Sequence, residues 1–110
     1  MKRTVKVSDF SGTLNFQLLN NQGDVPGKSL GFLLIADGRA NSWKLSDLQR
    51  IAEFSGVTNE KGEGTVKIPS LRQWTLVYYY LETGEIPMMI RSIIVETNQV
   101  SNQRWLVRFP

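Results

Sequence analysis

Alternation of apolar and polar residues limits how this chain can fold more than any other feature of its sequence. Leu14 and Phe16 belong to an apolar set that alternates with polar residues along 13–19, and a similar alternation with basic residues runs along 2–7. Successive side chains of a strand point to opposite faces, so this period of two predicts two half-buried strands. Residues 9–12 are the predicted turn between them.

Continuous apolar and β-branched runs predict the remaining strands. Leu30–Ala36 is almost entirely apolar and is followed by Asp37-Gly38, a pattern typical of a central strand closed by a tight turn. Turn-forming and polar residues fill 20–27 and 58–64, which we expect to be loops. The strands expected further along are 65–69, 74–81, 88–95 and 104–109, with a loop at 97–102 and the last three strands forming a meander.

Residues 70–87 fit two different structures. Apolar and aromatic residues of 71–81 have helical spacing, with Ser70 as an N-cap and Gly84 as a stop. Residues 74–81, however, are mostly β-branched and aromatic, which disfavours a helix and favours a strand. Propensity therefore favours the strand, with the helix as the alternative.

One short amphipathic helix is predicted at about 46–55. Ser46 is a suitable N-cap, Gln49 completes a capping box, and Gly56 follows the last turn. The spacing from Ala52 to Gly56 also resembles the first helix and turn of a helix-turn-helix motif. A polar, Gly-rich loop follows where the recognition helix of that motif would begin, and a capped amphipathic helix produces the same spacing.

These segments together predict a single domain over residues 1–110. The length is sufficient for one hydrophobic core, and no internal repeat, charge run or low-complexity tract divides the chain. The expected fold class is α+β and mainly antiparallel β-sheet. About six to seven strands would form an open sheet or a partly open barrel, accompanied by the one short helix.

The composition excludes several kinds of chemistry. The sequence contains no Cys and no His, so the usual ligands of transition metals and the usual partners of Ser and Cys nucleophiles are missing. We therefore expect a protein that is not an enzyme and that uses no cofactor and no metal. Polar residues at 8–12 interrupt any signal-peptide core, and no apolar run is long enough to cross a bilayer. A soluble, cytoplasmic protein is expected.

Basic and aromatic residues predict a binding surface. The chain carries 13 Lys and Arg against 10 Asp and Glu, a net charge of +3. Tyr78, Tyr79 and Tyr80 must alternate between the faces of a strand, so at least one ring lies on the other face from its neighbours. Aromatic rings beside cations on a sheet can stack on the bases of single-stranded nucleic acid and pair with its phosphates. The predicted nucleic-acid-binding residues are Lys2, Lys6, Trp43, Lys44, Trp74, Tyr79, Arg91, Arg104 and Arg108.

The same residue types also fit a structural or assembly subunit. In this alternative, exposed aromatic side chains contact other copies of the chain or a partner protein, as in a homo-oligomer or a virion component. Arg, Tyr, Trp and Met are enriched at protein interfaces, so composition does not separate the two hypotheses. Met88 and Met89, near the tyrosine run, favour assembly. Binding of single-stranded nucleic acid is the leading prediction, and assembly is its alternative.

Overall fold

The computed structural model describes residues 10–108, which form seven strands and one helix. The predicted class, mainly β with one short helix, is confirmed. The strand predicted at 2–7 lies outside the described residues. The strands are β1 (Ser11–Leu19), β2 (Leu30–Ala36), β3 (Phe54–Val57), β4 (Glu63–Pro69), β5 (Trp74–Tyr80), β6 (Met89–Ile93) and β7 (Val100–Leu106), and the helix is α1 (Leu45–Ile51).

The strands form two separate sheets. Sheet A has the order β4-β1-β7, and sheet B has the order β3-β2-β5-β6. All neighbouring strands are antiparallel except β1 and β7, which are parallel. The mainly antiparallel arrangement is thus confirmed. The strands do not close into a barrel, because they are divided between two sheets that keep their own edges.

The two sheets pack face to face around one hydrophobic core. Leu14, Phe16 and Leu18 of β1 are at most 3% exposed, which confirms the alternation seen in the sequence. Phe16 meets Phe32 of β2 edge to face, with the ring centroids 5.0 Å apart. Burial of each such side chain contributes roughly 1.5–3 kcal/mol, so this layer between the sheets is the main source of stability.

Helix α1 covers part of the outer face of sheet B. Leu48 of the helix is fully buried and packs in a second cluster with Leu33, Ile35 and Val77. Strand β2 is therefore buried on both of its faces. This explains why its sequence is apolar throughout instead of alternating.

Residues 74–80 form a strand, so the choice of strand over helix is confirmed. Tyr78 and Tyr80 point into the core, where they are 0% and 6% exposed, and Tyr79 lies on the opposite face, half-buried. The Tyr78 hydroxyl donates a hydrogen bond to the carbonyl of Arg108 at 2.9 Å.

The helix begins and ends earlier than its capping signals predict. Ser46 lies inside the first turn, and the N-cap residue is Lys44, whose side chain makes no capping hydrogen bond. Ser42 takes a related role, since its hydroxyl accepts a hydrogen bond from the Lys44 N–H at 3.1 Å and donates one to Asp47 at 3.2 Å. The helix ends at Ile51.

Residues 54–57, predicted as the end of the helix and its exit, form β3 instead. The Phe54 ring packs edge to face on Trp74 with centroids 5.5 Å apart, and the Glu53 N–H donates to the carbonyl of Leu34 at 3.0 Å. The backbone therefore pairs with sheet B and cannot continue the helix. The helix-turn-helix resemblance is wrong for the same reason.

The C-terminal strand is also displaced from its predicted position. Residues 97–102, predicted as a loop, contain a tight turn at Asn98 (φ 60°) and then the first part of β7. Strand β7 joins β1 in the other sheet, so the predicted meander of the last three strands is wrong. Trp105 and Val107 pack into the core, and Arg104 and Leu106 are exposed.

Three aromatic rings lie across glycines on neighbouring strands. Phe16 pairs with Gly64, Phe32 pairs with Gly56, and Tyr79 pairs with Gly31 in the registers of the sheets. A Cβ atom added at any of these glycines would lie 2.2–2.7 Å from a ring atom of its partner. Each glycine therefore provides the space in which the ring lies flat against the sheet.

Candidate interaction surfaces

The outer face of sheet A is a polar surface. Asn15 occupies its centre, where its amide donates to Asn102 at 3.1 Å and its amide oxygen accepts from the Thr65 hydroxyl at 2.9 Å. These hydrogen bonds link all three strands of sheet A across the face. A shallow depression of about 310 Å³ lies beside them, with Glu63 and Arg104 among its lining residues.

Strand β7 forms one edge of sheet A, and the direction of its backbone groups follows from two hydrogen bonds. The Thr13 N–H donates to the carbonyl of Gln99 at 2.9 Å, and the Val107 N–H donates to the carbonyl of Leu19 at 2.7 Å. In a parallel ladder, every second residue of a strand points its N–H and C=O groups toward the same neighbouring strand. Since Gln99 and Val107 both bond to β1, the backbone groups of 101, 103, 105 and 107 point toward β1. The N–H and C=O groups of Val100, Asn102, Arg104 and Leu106 therefore point away from the sheet.

The other three edges of the sheets are interrupted, short or protected. Strand β6 has a register shift opposite Trp74 to Leu76 and a non-glycine residue, Ser92, at φ 61°. Strand β3 has four residues, and β4 carries Lys67 and ends at Pro69. Bulges, short length, lysine and proline are common ways to prevent pairing at an edge.

Strand β7 lacks these devices among its seven residues. It contains no proline and no lysine, its register with β1 is continuous, and Arg104 is its one charged residue. Val100 and Leu106 near its two ends are 58% and 59% exposed. Among residues 10–108, β7 is therefore a regular edge strand without the protective features of the other three edges.

The residues predicted to bind nucleic acid do not share one surface. Arg104 lies on the outer face of sheet A, since its neighbour Trp105 packs inward. Tyr79 lies on the outer face of sheet B, where it packs against the cluster under α1. The sandwich separates these two faces by both sheets and the core. Arg108 follows β7 with an exposed side chain.

Trp74 is the one predicted stacking residue that the fold removes from any surface. Its ring is fully buried, and its indole N–H donates to the carbonyl of Pro69 at 3.0 Å. The ring has no face available to a base, so its assignment to the binding surface is wrong. The reason is that Trp74 lies on the face of β5 that packs in the core, where its ring also contacts Phe54. Lys2 and Lys6 lie outside the described residues.

Three of the predicted residues remain exposed around the segment that leads into α1. Trp43 is 60% exposed and is followed by the exposed Lys44. Arg91 of β6 reaches the same segment, because its guanidinium donates to the carbonyl of Ala40 at 3.2 Å. One predicted aromatic ring and two predicted cations are therefore exposed around this segment.

Tyr78 and Tyr80 are held in their neutral forms. Burial raises the pKa of the Tyr78 hydroxyl well above its ordinary value. Burial also raises the pKa of the Tyr80 hydroxyl, and the nearby Glu85 carboxylate adds to the effect. The Tyr80 hydroxyl is buried without a hydrogen-bond partner in the described part of the chain.

The described residues contain neither a cluster of metal ligands nor a membrane-spanning helix. No group of three or more Asp and Glu side chains within 10–108 is arranged to hold a metal ion. No helix in the same range is long and apolar enough to cross a membrane.

Comparison with known proteins gives a fold and no family. No protein-family model and no curated protein matches the sequence. Among solved structures, the chain is similar to the Bacillus anthracis TIE protein, with a TM-score of 0.58 and 16% sequence identity. The match covers 90% of this chain and 16% of that chain. At this identity the similarity shows the fold alone.

The β7 edge is the candidate site that no sequence pattern predicted. Val100, Asn102 and Leu106 do not belong to any predicted site, because 97–102 was expected to be a loop. The residues of 100–106 carry no alternation that would mark a strand, because 101–104 are all polar and Trp105 and Leu106 are both apolar.

Proposed function

We propose that this chain is a non-enzymatic structural module that makes protein–protein contacts by accepting a strand at the β7 edge of sheet A. The observation that carries the proposal is the row of outward N–H and C=O groups on Val100, Asn102, Arg104 and Leu106. A regular edge of this length is a ready template for another strand, and main-chain hydrogen bonds supply the affinity in such complexes.

The structural neighbour supports a modular role. The likeness spans nearly all of this chain and a small part of a much longer protein. Sandwiches of this kind can therefore occur as one unit among several in a chain. A unit in that setting acts through its exposed surfaces and edges, which agrees with the absence of Cys and His from this sequence.

Binding of single-stranded nucleic acid is the second candidate. Trp43, Lys44 and Arg91 carry it, because they are exposed around one segment. Arg104 lies on sheet A, away from these three residues. The number of cations on one surface is therefore small, and so is their electrostatic contribution to the affinity for nucleic acid. We rank this function below strand pairing for that reason.

The two candidates separate in one titration followed by amide NMR. The probes are an extended peptide of alternating valine and threonine with lysines at its ends, and a single-stranded oligonucleotide at low and moderate salt. Strand pairing predicts that the peptide shifts the amides of 100, 102, 104 and 106 more than those of 101, 103 and 105. A salt-sensitive complex with the oligonucleotide that perturbs Trp43 and Arg91, with no response to the peptide, would replace the first proposal by the second.

Arg104 offers a matched pair of variants for this test. Arg104→Pro removes an outward N–H that β1 does not use, and proline is tolerated at such an edge position. Arg104→Ala removes the same side chain and keeps the N–H. Strand pairing predicts that only the proline variant loses peptide binding. Equal losses in both variants would show that the side chain, and not the backbone, makes the contact.

A further inference from the structure

We propose that the strand accepted at the β7 edge is β7 of a second copy of this chain, paired antiparallel about a two-fold axis at Gln103. This inference rests on the proposed function and names its partner. The result is a continuous six-stranded sheet built from the two copies of sheet A. A contact of this kind is isologous, because the same residues of both copies take part.

The backbone groups permit this register. In an antiparallel pair, residues that exchange two hydrogen bonds must both point toward the partner strand. A two-fold axis at Gln103 places Asn102 opposite Arg104 of the second copy and Val100 opposite Leu106. All four residues belong to the outward-pointing set. The full length of β7 is then paired, with about eight hydrogen bonds across the contact.

The side chains on the outer face match in the same register. Val100 and Leu106 are both more than half exposed in the single chain, and each lies three residues from Gln103. The two-fold axis therefore brings Val100 of one copy against Leu106 of the other at both ends of the contact. Two exposed apolar side chains are covered by each other, and directly opposite apolar pairs stabilise a sheet.

Charge disfavours one of the neighbouring symmetric registers, and length disfavours the other. An axis one residue later, at Arg104, would place the two arginine side chains directly opposite each other. An axis one residue earlier, at Asn102, would leave Leu106 beyond the paired region and exposed. The axis at Gln103 opposes Arg104 to the neutral Asn102 and pairs both exposed apolar residues, so the sequence of β7 selects it.

Cysteine cross-linking tests the register directly, since the native chain has no cysteine. At the proposed axis the two Gln103 residues form a non-hydrogen-bonded pair with Cα atoms about 4.5 Å apart, within the range that a disulfide spans. Gln103→Cys is therefore expected to form a disulfide-linked dimer under mild oxidation. Ser101→Cys is the matched control on the same face of β7, because its two copies would be about 13 Å apart.

Light scattering and sedimentation across a concentration series test association without a cross-link. The unmodified chain and Arg104→Ala are expected to form a dimer, and Arg104→Pro is expected to weaken it at least about tenfold through the loss of symmetric hydrogen bonds. Circular dichroism and thermal unfolding show whether each variant is folded. The double variant Val100→Lys/Leu106→Lys is a second test that leaves the backbone of β7 unchanged. It is expected to stay monomeric, because lysines of the two copies would lie opposite each other. Mixing it with Val100→Glu/Leu106→Glu is expected to restore a dimer, because opposite charges then face each other.

The outcomes separate this inference from the proposed function. A chain that stays monomeric at high concentration but binds the valine–threonine peptide at β7 would overturn self-pairing and leave strand acceptance intact. Cross-linking of Ser101→Cys in preference to Gln103→Cys would overturn the register. A monomer that also ignores the peptide would overturn both proposals.

Discussion

Two glycines under aromatic rings provide a sharp test of how the sandwich is packed. Gly64 lies under Phe16 and Gly31 lies under Tyr79, and both are strand residues without positive φ angles. A Cβ at Gly64 would lie 2.4 Å from the Phe16 ring, and a Cβ at Gly31 would lie 2.2 Å from the Tyr79 ring. The change to alanine is therefore sterically similar at the two sites. The difference is whether the ring can move.

Phe16 has little room to move. It is 3% exposed, and its ring centroid lies 5.0 Å from that of Phe32 and 5.7 Å from that of Trp105. The ring must retreat by about 1 Å into these neighbours, and overpacking of this kind costs roughly 1–3 kcal/mol. Alanine recovers about 0.4–1 kcal/mol by restricting the unfolded chain. Gly64→Ala should therefore lower the free energy of unfolding by about 1–2 kcal/mol.

Tyr79 is half-buried on the outer face of sheet B and its ring can swing toward solvent. Gly31→Ala should then leave the free energy of unfolding within about 0.5 kcal/mol of the unmodified chain. Urea unfolding followed by tryptophan fluorescence and by far-UV circular dichroism measures both variants. The reasoning is refuted if Gly31→Ala is destabilised as much as Gly64→Ala, or if neither variant changes.

Three further predictions concern Tyr78, Tyr80 and Arg72. Tyr78→Phe should lower the free energy of unfolding by about 1 kcal/mol in chemical unfolding, because it removes the hydrogen bond at 2.9 Å to the carbonyl of Arg108. Tyr80→Phe should be neutral or slightly stabilising, because the Tyr80 hydroxyl has no hydrogen-bond partner in the described part of the chain. A larger loss for Tyr80→Phe than for Tyr78→Phe would contradict this. The raised pKa of Tyr78 predicts stability that is full below the ordinary pKa of 10.0 and falls at higher pH, and Tyr78→Phe should flatten that fall in a pH series of unfolding curves. Arg72→Ala should cost at most about 1 kcal/mol, and less at high salt, because its ion pair with Glu53 is partly exposed. The Arg72 guanidinium also lies over the Trp74 ring, so a loss in thermal unfolding that does not depend on salt would show that this packing dominates.

The elements predicted correctly are those whose local pattern agrees with their final environment. The alternation along β1 places Leu14, Phe16 and Leu18 in the core. The continuous apolar run of β2 matches burial on both faces, and the β-branched and aromatic residues of β5 favour the strand that forms. In each case the side chains that contact the core lie within one short segment. The pattern of that segment alone is therefore sufficient to predict its secondary structure.

The incorrect predictions arise where distant residues decide the backbone conformation. The capping signals around Ser46 and Gly56 describe a helix, but Phe54 packs on Trp74 and pairs its strand with β2. Parallel pairing of the last strand with β1 depends on residues more than eighty positions apart. Local propensity carries no information about such contacts.

The candidate site shows the same division. The sequence by itself determined that the chain is mainly β, that it lacks the residues for most metal and nucleophilic chemistry, and that its tyrosine run must divide between two faces. Only the tertiary structure decided that Trp74 is buried, that Arg104 and Tyr79 lie on opposite outer faces, and that β7 is an edge. The physical reason is that exposure of an edge depends on which strand has no second neighbour, and that is a property of the assembled sheets.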